Sequence, residues 1–126
     1  MVNLQYGFFR TDTPIVPGTV FTAGQILIPS ASGYTVATTS TYSGYAFRIV
    51  DPNYNSSRRD VIGLENTAAY GGPGIIVCDS SLISGVVNVL DHLNTISGSF
   101  VTVTGTNPFF AECVAISNGV YTIQTI

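Results

Sequence analysis

Lysine and tryptophan are absent from this sequence, and its four basic residues are the arginines Arg10, Arg48, Arg58 and Arg59. Charged residues of both signs fill only 9% of the 126 positions, where about 25% is usual for a soluble domain. So few cations, with a formal net charge of −3, argue against a nucleic-acid binder, which needs a basic stripe to displace counterions from phosphate. Without lysine there is no Schiff-base chemistry. The single histidine is His92, and no G-x-S-x-G elbow occurs, so an activated serine has no recognisable setting. No apolar run is long enough for a membrane helix. Residues 1–14 have neither the basic start nor the apolar stretch of a secretory signal. The reading is non-enzymatic, with no cofactor, no metal, no membrane and no nucleic acid.

What is present is apolar and hydroxylic. Hydrophobic residues make up 45% of the chain, with seven Tyr and seven Phe, which argues against disorder. The polarity lost as charge returns as 12 Ser and 15 Thr. Residues 13–47 carry no charge at all, while the ten residues DPNYNSSRRD at 51–60 carry four. A neutral stretch of that length suits a surface covered by partners, since interface cores are poor in Lys and Glu and rich in aromatics. The alternative is a hydroxyl-wetted surface, as on a lectin. Cys78 and Cys113 sit in apolar contexts and read as buried free thiols.

Turn signals are dense: Val16-Pro17-Gly18, Pro29 to Gly33, Asp51-Pro52-Asn53, Gly71-Gly72-Pro73-Gly74, Thr106-Asn107-Pro108 and Asn118-Gly119. Between them lie runs rich in β-branched and aromatic residues at 19–28, 34–38, 45–50, 60–64, 75–78, 99–104, 109–116 and 120–125. Short strands with this punctuation predict an all-β single-domain sandwich or partly closed barrel of antiparallel strands. The firmest element is a hairpin joining 109–116 to 120–125, because Asn118-Gly119 supplies the positive φ angles of a type I′ turn. Glu112, the odd polar member of its first strand, is expected at a rim or against an arginine. Over 82–93, Leu82, Ile83, Val86, Val87, Val89, Leu90 and Leu93 follow helical spacing, but Gly85 and three valines oppose it. A short helix and a strand plus turn both remain open there. Residues 1–18, with Pro14 and Pro17 and little alternation, read as an extended N-terminal arm preceding a β domain at 19–126.

The candidate contacts lie in the arm and in the charged loop. Phe8 and Phe9 project to opposite sides of an extended chain, so one of them faces out of the domain, next to Arg10. Tyr54, Arg58 and Arg59 combine residue types favoured as interface anchors. Removing residues 1–10 is therefore expected to cost binding and leave the fold intact. Asp51-x-Asn53-x-Asn55 matches the first ligand positions of a calcium loop, but Ser56 and Ile62 stand where glycine and glutamate are needed, so it reads as an Asx-rich turn. Tyr34, Tyr42 and Tyr45 could stack on sugar faces, which keeps a carbohydrate-binding sandwich or tail-fibre module as the alternative.

Phe21-Thr22-Ala23-Gly24-Gln25-Ile26-Leu27, then Asp60-Val61-Ile62-Gly63-Leu64-Glu65-Asn66-Thr67-Ala68, the Gly-Gly turn and Ile75–Cys78 form a pattern. In it the chain resembles the small β-rich decoration, or cement, proteins of tailed-phage capsids. The resemblance implies a virion structural protein on the capsid exterior, assembled in the host cytoplasm. It further implies a homotrimer that binds the major capsid protein and stabilises the shell by multivalent clamping.

Overall fold

The computed structural model describes residues 1–54 and 66–126. They form two sheets that pack as a sandwich. The strands are β1 (Val2–Tyr6), β2 (Phe9–Pro14), β3 (Ile26–Ser30), β4 (Gly33–Thr35), β5 (Arg48–Val50) and β6 (Asn66–Gly71). They continue as β7 (Ile75–Cys78), β8 (Ile83–Ser84), β9 (His92–Ile96), β10 (Ser99–Val103), β11 (Ala111–Ser117) and β12 (Val120–Thr125). A seven-stranded sheet runs β1-β7-β12-β11-β9-β10-β8, and a five-stranded sheet runs β2-β6-β5-β3-β4. The pairings are antiparallel except for β8 beside β10. The chain is all-β as expected, and of the sandwich and partly closed barrel that the sequence left open it adopts the sandwich.

Two turns explain much of the larger sheet. Asn118 and Gly119 have φ of 52° and 74° between the paired residues Ser117 and Val120, the expected type I′ hairpin. Ser97 and Gly98 repeat the device, with φ of 52° and 83°, between β9 and β10. The segment 82–93 is not an α-helix. A single 3-10 turn at Ser80–Leu82 is capped by Asp79, whose side chain accepts from the Ser81 N–H. The chain then enters β8, reverses at Gly85 (φ 75°) and joins β9. Of the apolar residues at helical spacing, Leu82, Val87 and Leu93 are buried while Val86 and Leu90 are exposed. The spacing was an accident of a strand, a loop and a second strand.

The core lies between the sheets. Ile26, Phe47 and Ile49 meet Ile76, Leu93, Phe100, Phe110 and Ile123, all with no exposed surface. Phe47 and Phe110 stack with ring centres 4.8 Å apart. Because successive strand residues face opposite sides, Leu27 and Val50 point away from that core. There they form a second cluster with Ile15 and Phe21, covered by Tyr34, Val36 and Tyr54. The five-stranded sheet curls around this cluster until its edge strands approach, with one parallel bridge at Ile15 and Tyr34. One bridge does not close a barrel.

The first fourteen residues are not a free arm. Val2–Cys78, Asn3–Val77 and Leu4–Ile76 pair β1 to the seven-stranded sheet. Phe9–Gly71 through Pro14–Asn66 pair β2 to the five-stranded sheet. The chain crosses between the layers at Gly7 and Phe8. The weak alternation, read as a sign of an arm, belongs to two edge strands; Pro14 ends β2, where an edge tolerates proline, and Pro17 lies in the turn beyond it. Residues 1–10 thus include β1 and the start of β2, so their removal is expected to harm the fold rather than leave it intact.

Candidate functional site

Phe8 and Phe9 diverge as an extended backbone requires. Phe8 is half-buried against the main core, tight over Gly74. Phe9 is 52% exposed on the outer face of the five-stranded sheet. Its ring lies 5.3 Å from the Arg48 guanidinium carbon, and the Tyr34 ring lies 5.4 Å from the same carbon. Arg48 also donates to the Phe47 and Ala46 carbonyls. The aromatic–arginine pairing is thus made with Arg48 rather than with Arg10, the arginine adjacent to Phe9 in the chain. Arg10 is exposed and stands opposite Tyr70 on β2's other face. Tyr54 packs on Phe21 at 4.9 Å within the second cluster, so it supports the fold rather than projecting from it. Arg58 and Arg59 lie outside the described residues. The four described candidates, Phe8, Phe9, Arg10 and Tyr54, therefore do not form one patch.

The tyrosines behave differently from one another. Tyr42 packs edge-on against Phe110, and its hydroxyl accepts from the Ala46 N–H at 2.8 Å. Burial raises its pKa above the usual phenol value. Tyr34 is engaged with Arg48. Of these three, Tyr45, at 68% exposure, is the one displayed. Glu112 is half-buried opposite His92 and Gln124, with no arginine against it among the described residues.

A further exposed apolar display lies on the loop between β8 and β9. Val86 is 78% exposed, Val89 48% and Leu90 70%. Leu90 adopts φ of 74°, a left-handed conformation that costs a bulky side chain about 1–2 kcal/mol. The loop is tied down on both sides. The Leu90 N–H donates to the Cys113 carbonyl at 2.7 Å, and the Cys113 N–H donates to the Asp91 carbonyl at 3.1 Å. The Asp91 carboxylate accepts from the Asn88 N–H at 2.8 Å and the Thr102 hydroxyl at 3.0 Å. Val114, displaced outward at the bulge in β11, adds apolar surface next to Leu90's partner. On the neighbouring register, the rings of His92 and Phe109 stack at 3.8 Å. The sequence left 82–93 open between a helix and a strand plus turn, so it did not show which of these apolar residues are exposed.

No cluster of three or more potential metal ligands occurs among the described residues. No helix among them is long and apolar enough to cross a membrane. Comparison of the chain with family models, curated proteins and solved structures finds no match.

Proposed function

We propose that the chain is a non-enzymatic structural subunit that docks through the Val86–Leu90 loop and the adjoining Val114 onto a protein shell. The shell exterior of a virus is the setting that the sequence resemblance implies, with the subunit acting as a homotrimer. The observation that carries this reading is Leu90, a large apolar side chain exposed in a strained conformation on a loop anchored by Asp91. Backbone strain persists where the surroundings enforce it, and it concentrates at functional sites. The other non-glycine residues with positive φ among the described ones, Ser97 and Asn118, are small polar residues of hairpin turns, unlike Leu90. Low charge over the rest of the surface supports the reading, since few desolvated charges oppose contact.

Leu90→Gly is the deciding variant. Glycine relieves the left-handed strain, so the protein melts at an equal or higher temperature. Co-sedimentation with intact particles falls at least tenfold, and light scattering after size exclusion tests the trimer separately. Unchanged co-sedimentation by a well-folded Leu90→Gly protein would remove the loop from the docking surface.

A further inference from the structure

A cleft of about 340 Å³ opens at the edge of the sandwich, away from the docking loop. Val2, Asn3 and Leu4 of β1 form one wall. Asp51, Pro52 and Asn53 of the turn after β5 form the other, with Tyr70 of β6 beside them. The turn is held by its own hydrogen bonds, from the Asn53 N–H to Asp51 Oδ1 at 2.9 Å and from the Tyr54 N–H to the Asp51 carbonyl at 2.8 Å. Those bonds fix the carboxylate and leave its second oxygen uncommitted among the described residues. The side chain of Asn53 and the Tyr70 hydroxyl also make no hydrogen bond among the described residues. Three polar groups from two elements thus border one concave surface with unspent bonding capacity, while the Asn3 side chain alternates with Val2 and Leu4 on β1 and faces the other side.

We infer that this cleft binds a neutral polyhydroxylated ligand, a single pyranose ring of a glycan. The donor set decides the class. A carboxylate only accepts, while carboxamides and a phenol both donate and accept, which matches hydroxyls that each donate and accept. Val2, Leu4, Pro52 and the Tyr70 ring supply apolar surface for the C–H face of a sugar. An anion would meet the Asp51 charge at close range. A calcium ion needs six to eight oxygen ligands, and one carboxylate lines the cleft. An apolar ligand would desolvate the carboxylate without a partner. The volume is near the lower limit for small-molecule sites, so one ring is accommodated and affinity is on the order of millimolar. The site differs from the tyrosines that suggested sugar binding in the sequence, and it is independent of the docking loop.

The test is a nitrogen-edited NMR titration of the full chain with the methyl glycosides of glucose, galactose and mannose and with N-acetylglucosamine. Each is taken to roughly 100 mM, well above the millimolar range. At least one sugar is expected to give saturable shifts at the amides of Asn3, Asp51, Asn53 and Tyr70. Asp51→Asn keeps the turn oxygen, Tyr70→Phe keeps the ring, and Asn53→Ala alters an exposed side chain. Each is expected to weaken binding about tenfold, the effect of losing one hydrogen bond to the ligand. The inference is overturned by the absence of saturable shifts at those amides with every sugar, or by shifts that all three variants leave unchanged. Saturable shifts from calcium chloride alone would overturn it equally. No shell particle enters the experiment, so its failure is separate from failure of the docking surface.

Discussion

The side-chain amide of Asn94 donates to the backbone carbonyl of Tyr42 across 2.8 Å, joining the central strand β9 to a loop 52 residues earlier. The same nitrogen donates to the Pro108 carbonyl at 2.9 Å, while Oδ1 accepts from the Thr95 N–H at 2.7 Å. Asn94 has no exposed surface, so these bonds replace water completely. One buried carboxamide thereby pins both chain segments that bring Phe47 and Phe110 together.

Asn94→Asp should therefore be costly although it is nearly isosteric. The acceptor survives, but two carbonyls lose their donor and a carboxyl must be buried. Each unsatisfied buried group costs about 1–3 kcal/mol, so urea denaturation should show a loss of at least about 2 kcal/mol, growing from pH 4 to pH 7 as the unfolded carboxyl ionises. Equal stability of the variant at both pH values would contradict this role.

Two glycine substitutions should separate crowding from backbone strain. A Cβ on Gly74 would lie 2.5 Å from the Phe8 ring and 2.6 Å from the Tyr6 carbonyl oxygen, whereas one on Gly119 meets nothing within 4 Å. Gly119→Ala should cost only the left-handed penalty, about 1–2 kcal/mol. Gly74→Ala should cost more and detach the crossing between β1 and β2, visible as faster amide exchange in Val2–Leu4.

The two thiols should be inert in the folded protein. Burial, and then the charge of Asp79, push Cys78 up to about 12, and burial also raises Cys113. A thiol in the unfolded chain ionises near pH 8.5. The fold favours the protonated form, so this contribution is complete below about pH 8.5 and is lost as pH climbs toward the folded value. An aromatic disulfide reagent at pH 8 should label neither cysteine in buffer and both in urea. A disulfide between them is excluded by register. Cys78 pairs with Tyr121 and Cys113 with Ile123, on either side of β12, about 10 Å apart across two strand spacings.

Truncation of residues 1–10 should destabilise the whole sandwich. It removes β1, bares the edge of β7, and deletes Phe8 from the core margin. It also deletes the amine of Met1 that donates to Asp79 at 2.8 Å, a bond that, with those from Ser81, holds the carboxyl well below its usual range. Circular dichroism should show a lower melting temperature; an unchanged one would restore the view of these residues as an arm.

The sequence was legible where local chemistry and tertiary pairing agree. Ile75–Cys78 and Val120–Thr125 are strands with the bounds their β-branched runs suggest, and Asn118-Gly119 needs no tertiary help to turn. It was illegible where pairing overrode propensity. Asn66–Gly71, with two alanines and a terminal glycine, is a weak strand former, yet β2 on one side and β5 on the other hold it in place. His92–Ile96 was masked by helical spacing that Gly85 and Leu90 interrupt with positive φ. The candidate site suffered in the same way, because a side chain's exposure depends on whether its neighbours form a helix face or a loop.

The crossing at Gly7 and Phe8 also bears on the order of events during synthesis. β1 and β2 leave the ribosome well before β7 and β6, the strands each must pair with. Until then both are unpaired edges, one carrying Val2 and Leu4 and the other Phe9, open to pairing with the same segment of another nascent chain. A chain built this way completes both layers late, through long-range contacts that slow folding. Its yield at high expression should depend on temperature and chaperone supply more strongly than its final stability would suggest.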